Sequence, residues 1–291
     1  MNDKNEISLL ANEISLLANR IRRDIVQMIG CDNQTGHLGG SCSSAEIVAS
    51  LYGSRLRFRP DDPHWDGRDK LIYSKGHAAI AQYAAMAEVG YFPREELWKV
   101  KMLGAMLQGH PDYLKTPGVE SGTGSLGQGL SIAVGMALAF KLDKRYDNKV
   151  YCVMGDGEMA EGQIWEAAMA AVNYRLDNLI GIVDRNLMQA TGFIKKHFDT
   201  DPLIEKWVGF GWHAIEIDGH DIDAILEAYD EAAGVKTGPT VIIANTIKGK
   251  GISFAENQAA FHNGTLTKEQ YDNAIRELDD RIDVLLRRAI R

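Results

Sequence analysis

The residues best suited to hold a metal ion lie at the ends of two apolar segments. Val150–Gly162 reads VYCVMGDGEMAEG, in which an apolar run is followed directly by Gly155-Asp156-Gly157. A second apolar run, NLIGIVDRN, ends at Asn186, about thirty residues later. One carboxylate and one amide oxygen suit Mg²⁺, which completes its octahedron with phosphate oxygens, a backbone carbonyl and water. The two glycines allow a close approach to a bulky anion, and a helix that starts near Glu161 would present free N–H groups to it. The pattern predicts a metal and phosphate site.

Four histidines stand in short motifs that contain glycine, and three of them lie directly beside glycine in loops that follow predicted elements. They are His37 in GHLGG, His77 in SKGHA, His110 in GHPD and His262 in HNG. Placement in a loop gives a side chain access to a ligand, and an imidazole can give or take a proton near neutral pH. Taken singly, each fits a surface or hydrogen-bonded histidine better than a catalytic one. Their shared placement in loops is what indicates a site.

Composition limits the classes of function. Of 291 residues, 45% are hydrophobic and 25% charged, as in ordinary globular proteins. The net charge is 32 − 40 = −8, which argues against general nucleic-acid or anionic-membrane binding. The three cysteines are scattered and form no CxxC, which is typical of reduced thiols. No apolar run approaches the roughly 20 residues of a membrane span, and the acidic N-terminus does not resemble a secretory signal. We therefore expect a cytoplasmic protein.

The elements that must position these residues alternate along the chain. Short apolar runs predict five strands: Lys70–Tyr73, Val150–Met154, Leu179–Val183, Ala214–Ile217 and Thr240–Ala244. Longer Ala-rich stretches predict four helices between or beside them: Ala78–Val89, Leu130–Leu142, Ile164–Tyr174 and Ile222–Ala233. This alternation predicts an α/β fold in which helices cover both faces of a mainly parallel sheet. Ligands bind at the carboxyl ends of such strands, where the motifs fall.

The two ends of the chain are predicted to be helical. The sequence NEISLLA occurs twice, at Asn5–Ala11 and Asn12–Ala18, and predicts one extended amphipathic helix that stops near Gly30. The charged segment from Thr267 to Arg291 predicts a helix that packs outside the domain or against a neighbouring chain. No linker or change of composition divides the sequence, so residues 1–291 are expected to form a single domain.

Together, these motifs resemble transketolase. The GDG…N pattern is that of thiamine diphosphate enzymes, and the histidine segments together with Gly122–Ala137 (GTGSLGQGLSIAVGMA) match the family in order and spacing from about Ile21 to Gly264. The resemblance implies a three-layer αβα thiamine diphosphate-binding fold that is rich in helix. It also implies that Asp156 and Asn186 bind Mg²⁺, Ca²⁺ or Mn²⁺ by their side chains and Met188 by its backbone oxygen. The chain departs from the family pattern at Ser125, Arg185 and Asn263.

The resemblance implies further roles. His37, His77 and His110 would surround the reactive carbon of the cofactor and the sugar oxygens, and His262 would be a further active-site or diphosphate contact. The implied cofactor-binding residues are His77, Gly124, Ser125, Leu126, Gly155, Asp156, Gly157, Glu158, Asn186, Lys248 and His262. Glu161 and Glu166 resemble subunit contacts, although acids at a helix N-terminus are also favoured by the helix dipole. Lys248–Gly251 resembles a phosphate-side loop, with a solvated turn as the alternative.

A second chain is expected. Transketolases need a pyrimidine domain whose glutamate bonds the aminopyrimidine ring of the cofactor, and the sequence ends soon after the diphosphate domain. The resemblance therefore implies a C-terminal partner subunit, an α2β2 heterotetramer and no activity without the partner. The expected reaction moves a two-carbon ketol unit from a ketose or its phosphate to an aldose. The alternatives are the α subunit of a 2-oxo acid dehydrogenase, a deoxyxylulose phosphate synthase-like enzyme, or a non-enzymatic binding subunit.

Overall fold

The centre of the molecule is a five-stranded, fully parallel sheet. The computed structural model describes residues 3–30 and 35–289, so Cys31 lies outside the described residues. The sheet has the order β1-β2-β3-β7-β6. Its strands are β1 Lys70–Tyr73, β2 Val150–Gly155, β3 Leu179–Arg185, β6 His213–Asp218 and β7 Thr240–Asn245. A separate antiparallel hairpin pairs β4 Met188–Gln189 with β5 Gly192–Phe193. All five strands predicted from the sequence are present, each at or within two residues of its expected bounds.

Ten α-helices lie in the described part of the chain. They are α1 Asp3–Ile29, α2 Leu38–Ser43, α3 Ala45–Ser50, α4 Ala79–Glu88, α5 Gln128–Leu142, α6 Gly162–Asn173, α7 Ile194–His197, α8 Leu203–Gly209, α9 Ile222–Gly234 and α10 Lys268–Ala289. A π-helical turn spans Leu51–Arg55, and 3₁₀ turns span Gly76–Ala78, Arg94–Lys99, Gly157–Ala160 and Ala259–Phe261. The four helices predicted between the strands are confirmed as α4, α5, α6 and α9.

Side chains alternate between the two faces of the sheet and fill two separate cores. On β2, Tyr151 and Val153 pack in the cluster that contains α1, α3, α4 and α9. Val150, Cys152 and Met154 pack on the other face, in the cluster that contains α5, α6 and Trp207 of α8. Because both faces are covered, the central strands β2, β3 and β7 are largely apolar, as expected for a buried parallel sheet, whereas the edge strand β6 carries exposed polar residues. The three-layer αβα architecture is confirmed.

Helix α1 covers the predicted repeat as one continuous element. Ile14, Ala18, Ile21 and Ile25 are fully buried at spacings of four, three and four residues, so one stripe of the helix faces the core. The helix ends at Ile29 and is followed by Gly30 with a φ of +63°, the left-handed conformation that glycine adopts readily after a helix.

The C-terminal helix packs on its own chain. Helix α10 lies along α1, Arg23 pairs with Asp279 (Nε–Oδ1, 2.5 Å), and Ala274 and Leu278 are fully buried. The expectation that this segment lies outside the domain was therefore wrong, because its apolar positions face α1 at helical spacing. Across the described ranges, no helix is long and apolar enough to cross a membrane.

Candidate active site

The carboxyl ends of β1, β2, β3 and β7 form one wall of a cavity of about 430 Å³. Parallel pairing sets Gly155 beside Asp184 and Arg185 beside Asn245, so the loops that follow these strands meet at one edge of the sheet. The volume is in the range of small-ligand sites. Sequence-predicted residues that line it are His37, His77, Gly124, Leu126, Gly155, Asp156, Gly157, Glu158, Glu161, Asn186, Met188, Lys248 and His262.

Three predicted site residues lie outside this lining. His110 packs against Gly124 at the margin, since a Cβ built on that glycine would stand 2.6 Å from His110 Cδ2. Ser125 is exposed, and its hydroxyl accepts a hydrogen bond from Gln128 Nε2 at 3.1 Å. Glu166 is exposed on α6. Their assigned roles stay predictions.

Three histidines from distant parts of the sequence meet in the cavity. The ring centroids of His37 and His77 are 5.0 Å apart, and His262 lies 5.4 Å from each of them. His37 precedes α2, and a backbone bridge between Gly36 and Gly264 (N–O, 3.0 and 3.1 Å) ties its loop to the loop of His262. His77 lies in the 3₁₀ turn that follows β1.

These histidines are held as neutral imidazoles. Burial, followed by repulsion from nearby lysine charges, lowers the pKa of His37 to about 4, of His77 to about 2 and of His262 to about 3. Burial and Lys101 also lower the pKa of His110. A neutral ring carries one N–H donor and one acceptor nitrogen, so it can both donate and accept a hydrogen bond. The cluster is suited to hydrogen bonding with hydroxyl and carbonyl oxygens, and its role in proton transfer stays a prediction.

The oxygen atoms predicted to bind a metal lie at the end of β2 and β3. The Asp156 carboxylate is buried, and burial followed by repulsion from Asp184 raises its pKa to about 7. Its oxygens accept hydrogen bonds from the backbone N–H groups of Gly157 and Leu187. Asn186 is buried, and its Oδ1 accepts from Met188 N at 3.2 Å. Because burial makes this carboxylate costly to ionise, a cation bound beside it would stabilise its ionised form.

The donor set fits a magnesium-type site. Among the described residues, no group of three or more His, Cys, Asp or Glu side chains could hold a metal by itself. One carboxylate, one amide oxygen and one carbonyl leave the remaining positions of an octahedron to phosphate and water, which is the usual arrangement for Mg²⁺. Leu187, between the predicted ligands, has a φ of +63°, a strained conformation that is common at functional sites.

Glu158 holds three of the loops together. Its Oε1 accepts hydrogen bonds from Gly127 N at 2.8 Å and from Ser74 Oγ, and its Oε2 accepts from Gly155 N at 3.1 Å. Glu158 lines the cavity, but both of its carboxylate oxygens accept hydrogen bonds from groups of the protein. Gly127 packs against Glu161, since an added Cβ would stand 2.8 Å from Glu161 Cβ.

Lys248 is buried rather than solvated. Its Nζ donates to Met188 O at 3.1 Å and lies 3.0 Å from His262 Nδ1. Burial, followed by repulsion from Lys75, lowers its pKa to about 8. The alternative of a solvated turn was therefore wrong for Lys248, because the loop folds inward and Gly249 N donates to Gly39 O at 2.9 Å.

Several residues of the site carry no role in the sequence-based prediction. Lys75 and Gln189 line the cavity, and the buried carboxylate of Asp184 pairs with Lys75 behind it. Lys75 lies within the SKGH motif, two residues after the end of β1. A lysine so close to the carboxyl end of a buried strand could have been recognised from the sequence as a candidate site residue. Asp184 stands inside β3, where a charged residue at the end of a long apolar run is a second signal of the same kind.

Comparisons with known proteins agree with this geometry. The family described as "Transketolase, thiamine diphosphate binding domain" matches residues 13–279. The chain is 48% identical to the 6-deoxy-6-sulfo-D-fructose transketolase subunit SqwG of Clostridium sp. (strain MSTE9), over 84% of this chain and 88% of that protein. It is 40% identical to one subunit of the apulose-4-phosphate transketolase of Phocaeicola vulgatus, over 87% of this chain and 89% of that protein.

Solved structures show the same fold. The transketolase of Campylobacter jejuni superposes with a TM-score of 0.84 at 32% identity, covering 96% of this chain. This chain spans only 43% of the length of that protein, and 45% of the transketolase from Leishmania mexicana. The sequence motifs, the αβα fold and these matches lead to one assignment. The chain belongs to the transketolase family and contains its thiamine diphosphate binding domain.

Proposed function

We propose that this chain is the cofactor-binding subunit of a two-chain transketolase, which moves a two-carbon ketol unit from a ketose to an aldose. The observation that carries the proposal is the meeting of three neutral histidines, His37, His77 and His262, in the cavity that Asp156 and Asn186 also line. Proton-transfer groups and oxygen ligands for a metal are thereby combined in one site.

Each group has a distinct task in this proposal. Asp156, Asn186 and the carbonyl of Met188 bind Mg²⁺, Ca²⁺ or Mn²⁺, and the metal neutralises the diphosphate. Lys248 adds a buried positive charge on the same side. Bound thiamine diphosphate supplies the carbon nucleophile. His37, His77 and His262, with His110 at the margin, accept and return protons at the hydroxyl and carbonyl oxygens of the sugar.

The names of the relatives support a partner chain. Proteins that this chain covers over 88–94% of their length are called transketolase subunits. We propose that the partner carries the pyrimidine domain and that the assembly is α2β2. Glu161 and Glu166, both exposed, would contact the partner.

We also propose that the chain forms one domain, since its first and last helices pack together. We further propose that it resides in the cytoplasm, where the thiols of Cys42 and Cys152 would stay reduced.

The same names support a proposed substrate class. Relatives are named for 6-deoxy-6-sulfo-D-fructose and for apulose-4-phosphate, so a ketose with an anionic terminal group, phosphate or sulfonate, is the proposed donor. The family match and these relatives do not favour the 2-oxo acid dehydrogenase or deoxyxylulose phosphate synthase-like alternative.

The test is an activity assay of the chain alone and together with its partner, taken from the adjacent reading frame. With thiamine diphosphate and Mg²⁺, we expect ketol transfer from a ketose phosphate or sulfonate only when both chains are present. Pyruvate in place of the ketose is the control. Transfer by the pure chain would contradict the two-chain proposal, and turnover of pyruvate in preference to every ketose would contradict the reaction.

A further inference from the structure

Behind the predicted metal ligands lies a buried carboxylate with four protein donors. Asp184 is completely inaccessible to solvent. Its Oδ2 accepts from Ser43 Oγ at 2.6 Å, from Asn186 Nδ2 at 3.1 Å and from Lys75 Nζ, and its Oδ1 accepts from Thr246 Oγ1. The donors come from α2 and from the loops that follow β1, β3 and β7. One side chain therefore joins four segments of the site.

The contact between Asp184 and Asn186 decides which end of the amide faces the cavity. An asparagine side chain presents an oxygen acceptor on one side and an NH₂ donor on the other, and the two orientations have nearly the same shape. Only the oxygen can bind a cation. An ionised carboxylate accepts hydrogen bonds and donates none, so Asp184 must face the NH₂ group of Asn186. Oδ1 is then left for the other side, where it lies 3.2 Å from Met188 N.

Lys75 keeps the Asp184 carboxylate ionised, so that it can only accept hydrogen bonds. Its ammonium is buried, contacts Oδ2 of Asp184 and also donates to Gly40 O at 2.6 Å. A fully buried carboxylate without a cationic partner would bind a proton, and a protonated oxygen could then donate to the wrong end of the amide. The ion pair therefore holds Asp184 as an acceptor.

We propose that Asp184 is a positioning residue, which fixes the Asn186 amide with Oδ1 available to the metal and NH₂ turned away from it. The proposal rests on the proposed metal site, whose protein ligands, Asp156, Asn186 and Met188, all belong to this chain. Hydrogen-bond partners of metal ligands typically change metal affinity 10- to 100-fold when they are removed.

The experiment measures Mn²⁺ binding to the full-length chain by electron paramagnetic resonance of free Mn²⁺, with saturating thiamine diphosphate. Asp184→Asn keeps the shape of the side chain but replaces the anionic acceptor of the Asn186 NH₂ group by a neutral amide oxygen, whose hydrogen bonds are about half as strong, so the Asn186 amide is held less firmly. We expect the Kd for Mn²⁺ to rise at least about 10-fold. Thr246→Val is the matched control, because it removes a hydrogen bond from the opposite oxygen of Asp184 and leaves the Asn186 contact intact. Its Kd should stay within about twofold of wild type even where its melting temperature falls.

Each outcome decides the inference. If wild type binds Mn²⁺ and Asp184→Asn binds it equally well, the inference is overturned while the metal site stands. If both variants lose affinity in proportion to their loss of stability, Asp184 is only structural. If wild type binds no Mn²⁺, the metal site and the inference both fall.

A second measurement serves if Asp184→Asn does not fold. In wild type labelled with ¹⁵N-asparagine, the side-chain NH₂ of Asn186 should exchange its hydrogens far more slowly than an exposed amide such as that of Asn173. Exchange as fast as that of Asn173 would overturn the inference.

Discussion

Lys248 Nζ lies 3.0 Å from Nδ1 of His262, and the same ammonium donates to the carbonyl of Met188 at 3.1 Å. Lys248 is only 2% exposed, so these contacts replace the water it would otherwise bind. His262 stands in the one histidine motif that departs from the family pattern, HNG instead of HG. Its contact with Lys248 and its position beside two other histidines are physical grounds for placing it in the site.

Replacing Lys248 should weaken cofactor binding. Lys248→Met removes a buried positive charge that would face the diphosphate, and hydrogen bonds to charged groups contribute about 1.5–3 kcal/mol. We expect the Kd for thiamine diphosphate, measured by isothermal titration calorimetry with Mg²⁺, to rise roughly 10-fold or more. Lys250→Met is the control, since Lys250 is half-buried on the same loop but does not line the cavity. Equal losses in the two variants would refute a specific role for Lys248.

Most of the sheet is predictable from the sequence because its central strands are short apolar runs, rich in β-branched residues, that are buried on both faces, while the edge strand β6 still shows an alternation of apolar and polar residues. Such runs stand out against Ala-rich helices, and the pattern predicts β1, β2, β3, β6 and β7. It does not predict helices α2, α3 and α8, because each has only six or seven residues and shows too few turns for a helical period to appear.

A residue of the site can be predicted from the sequence only where it lies within a recognisable short motif. Asp156, Asn186, His37, His77 and His110 follow strands or glycines, and this placement is visible in the sequence. The contacts of Glu158 and Asp184 are not visible in the sequence. Apart from Gly155 and Asn186, which are near neighbours, their hydrogen-bond donors lie 31 to 141 residues away along the chain. Such contacts depend on the order of strands in the sheet, which the sequence pattern does not specify.

Glu158 should be needed for the stability of the cofactor cavity. Glu158→Gln replaces one acceptor oxygen by an NH₂ group that must face a backbone N–H or the hydroxyl of Ser74. Leaving a buried donor unsatisfied costs about 1–3 kcal/mol, so the free energy of unfolding in urea should fall by that amount. The exposed Glu166→Gln should stay within about 0.5 kcal/mol of wild type. A loss in Glu166→Gln as large as that in Glu158→Gln would contradict the assignment.

Two glycine-to-alanine changes should have opposite effects. Gly124 has a φ of +143°, and an added Cβ would stand 2.6 Å from His110 Cδ2, so Gly124→Ala should destabilise the chain and displace His110. Gly135 lies inside α5, where a Cβ would meet nothing within 4 Å. Gly135→Ala should raise stability by roughly 0.5–1 kcal/mol. Thermal unfolding of the isolated chain measures both, and a neutral Gly124→Ala would show that the loop adapts without strain.

The buried histidines should remain neutral far below the usual histidine pKa. Burial lowers the pKa of His37, His77 and His262 to about 4, 2 and 3, whereas an unfolded histidine titrates near 6.5. Between these values the unfolded chain binds more protons than the folded chain, so the histidine contribution to stability is present above about pH 6.5 and is lost as the pH falls towards 4. In ¹⁵N-histidine spectra, assigned with single His→Gln variants, these three imidazoles should not titrate between pH 8 and about 5.5. A titration midpoint between pH 6 and 7 for any of them would mean that its ring is open to water and that the cluster does not work as neutral acid–base groups.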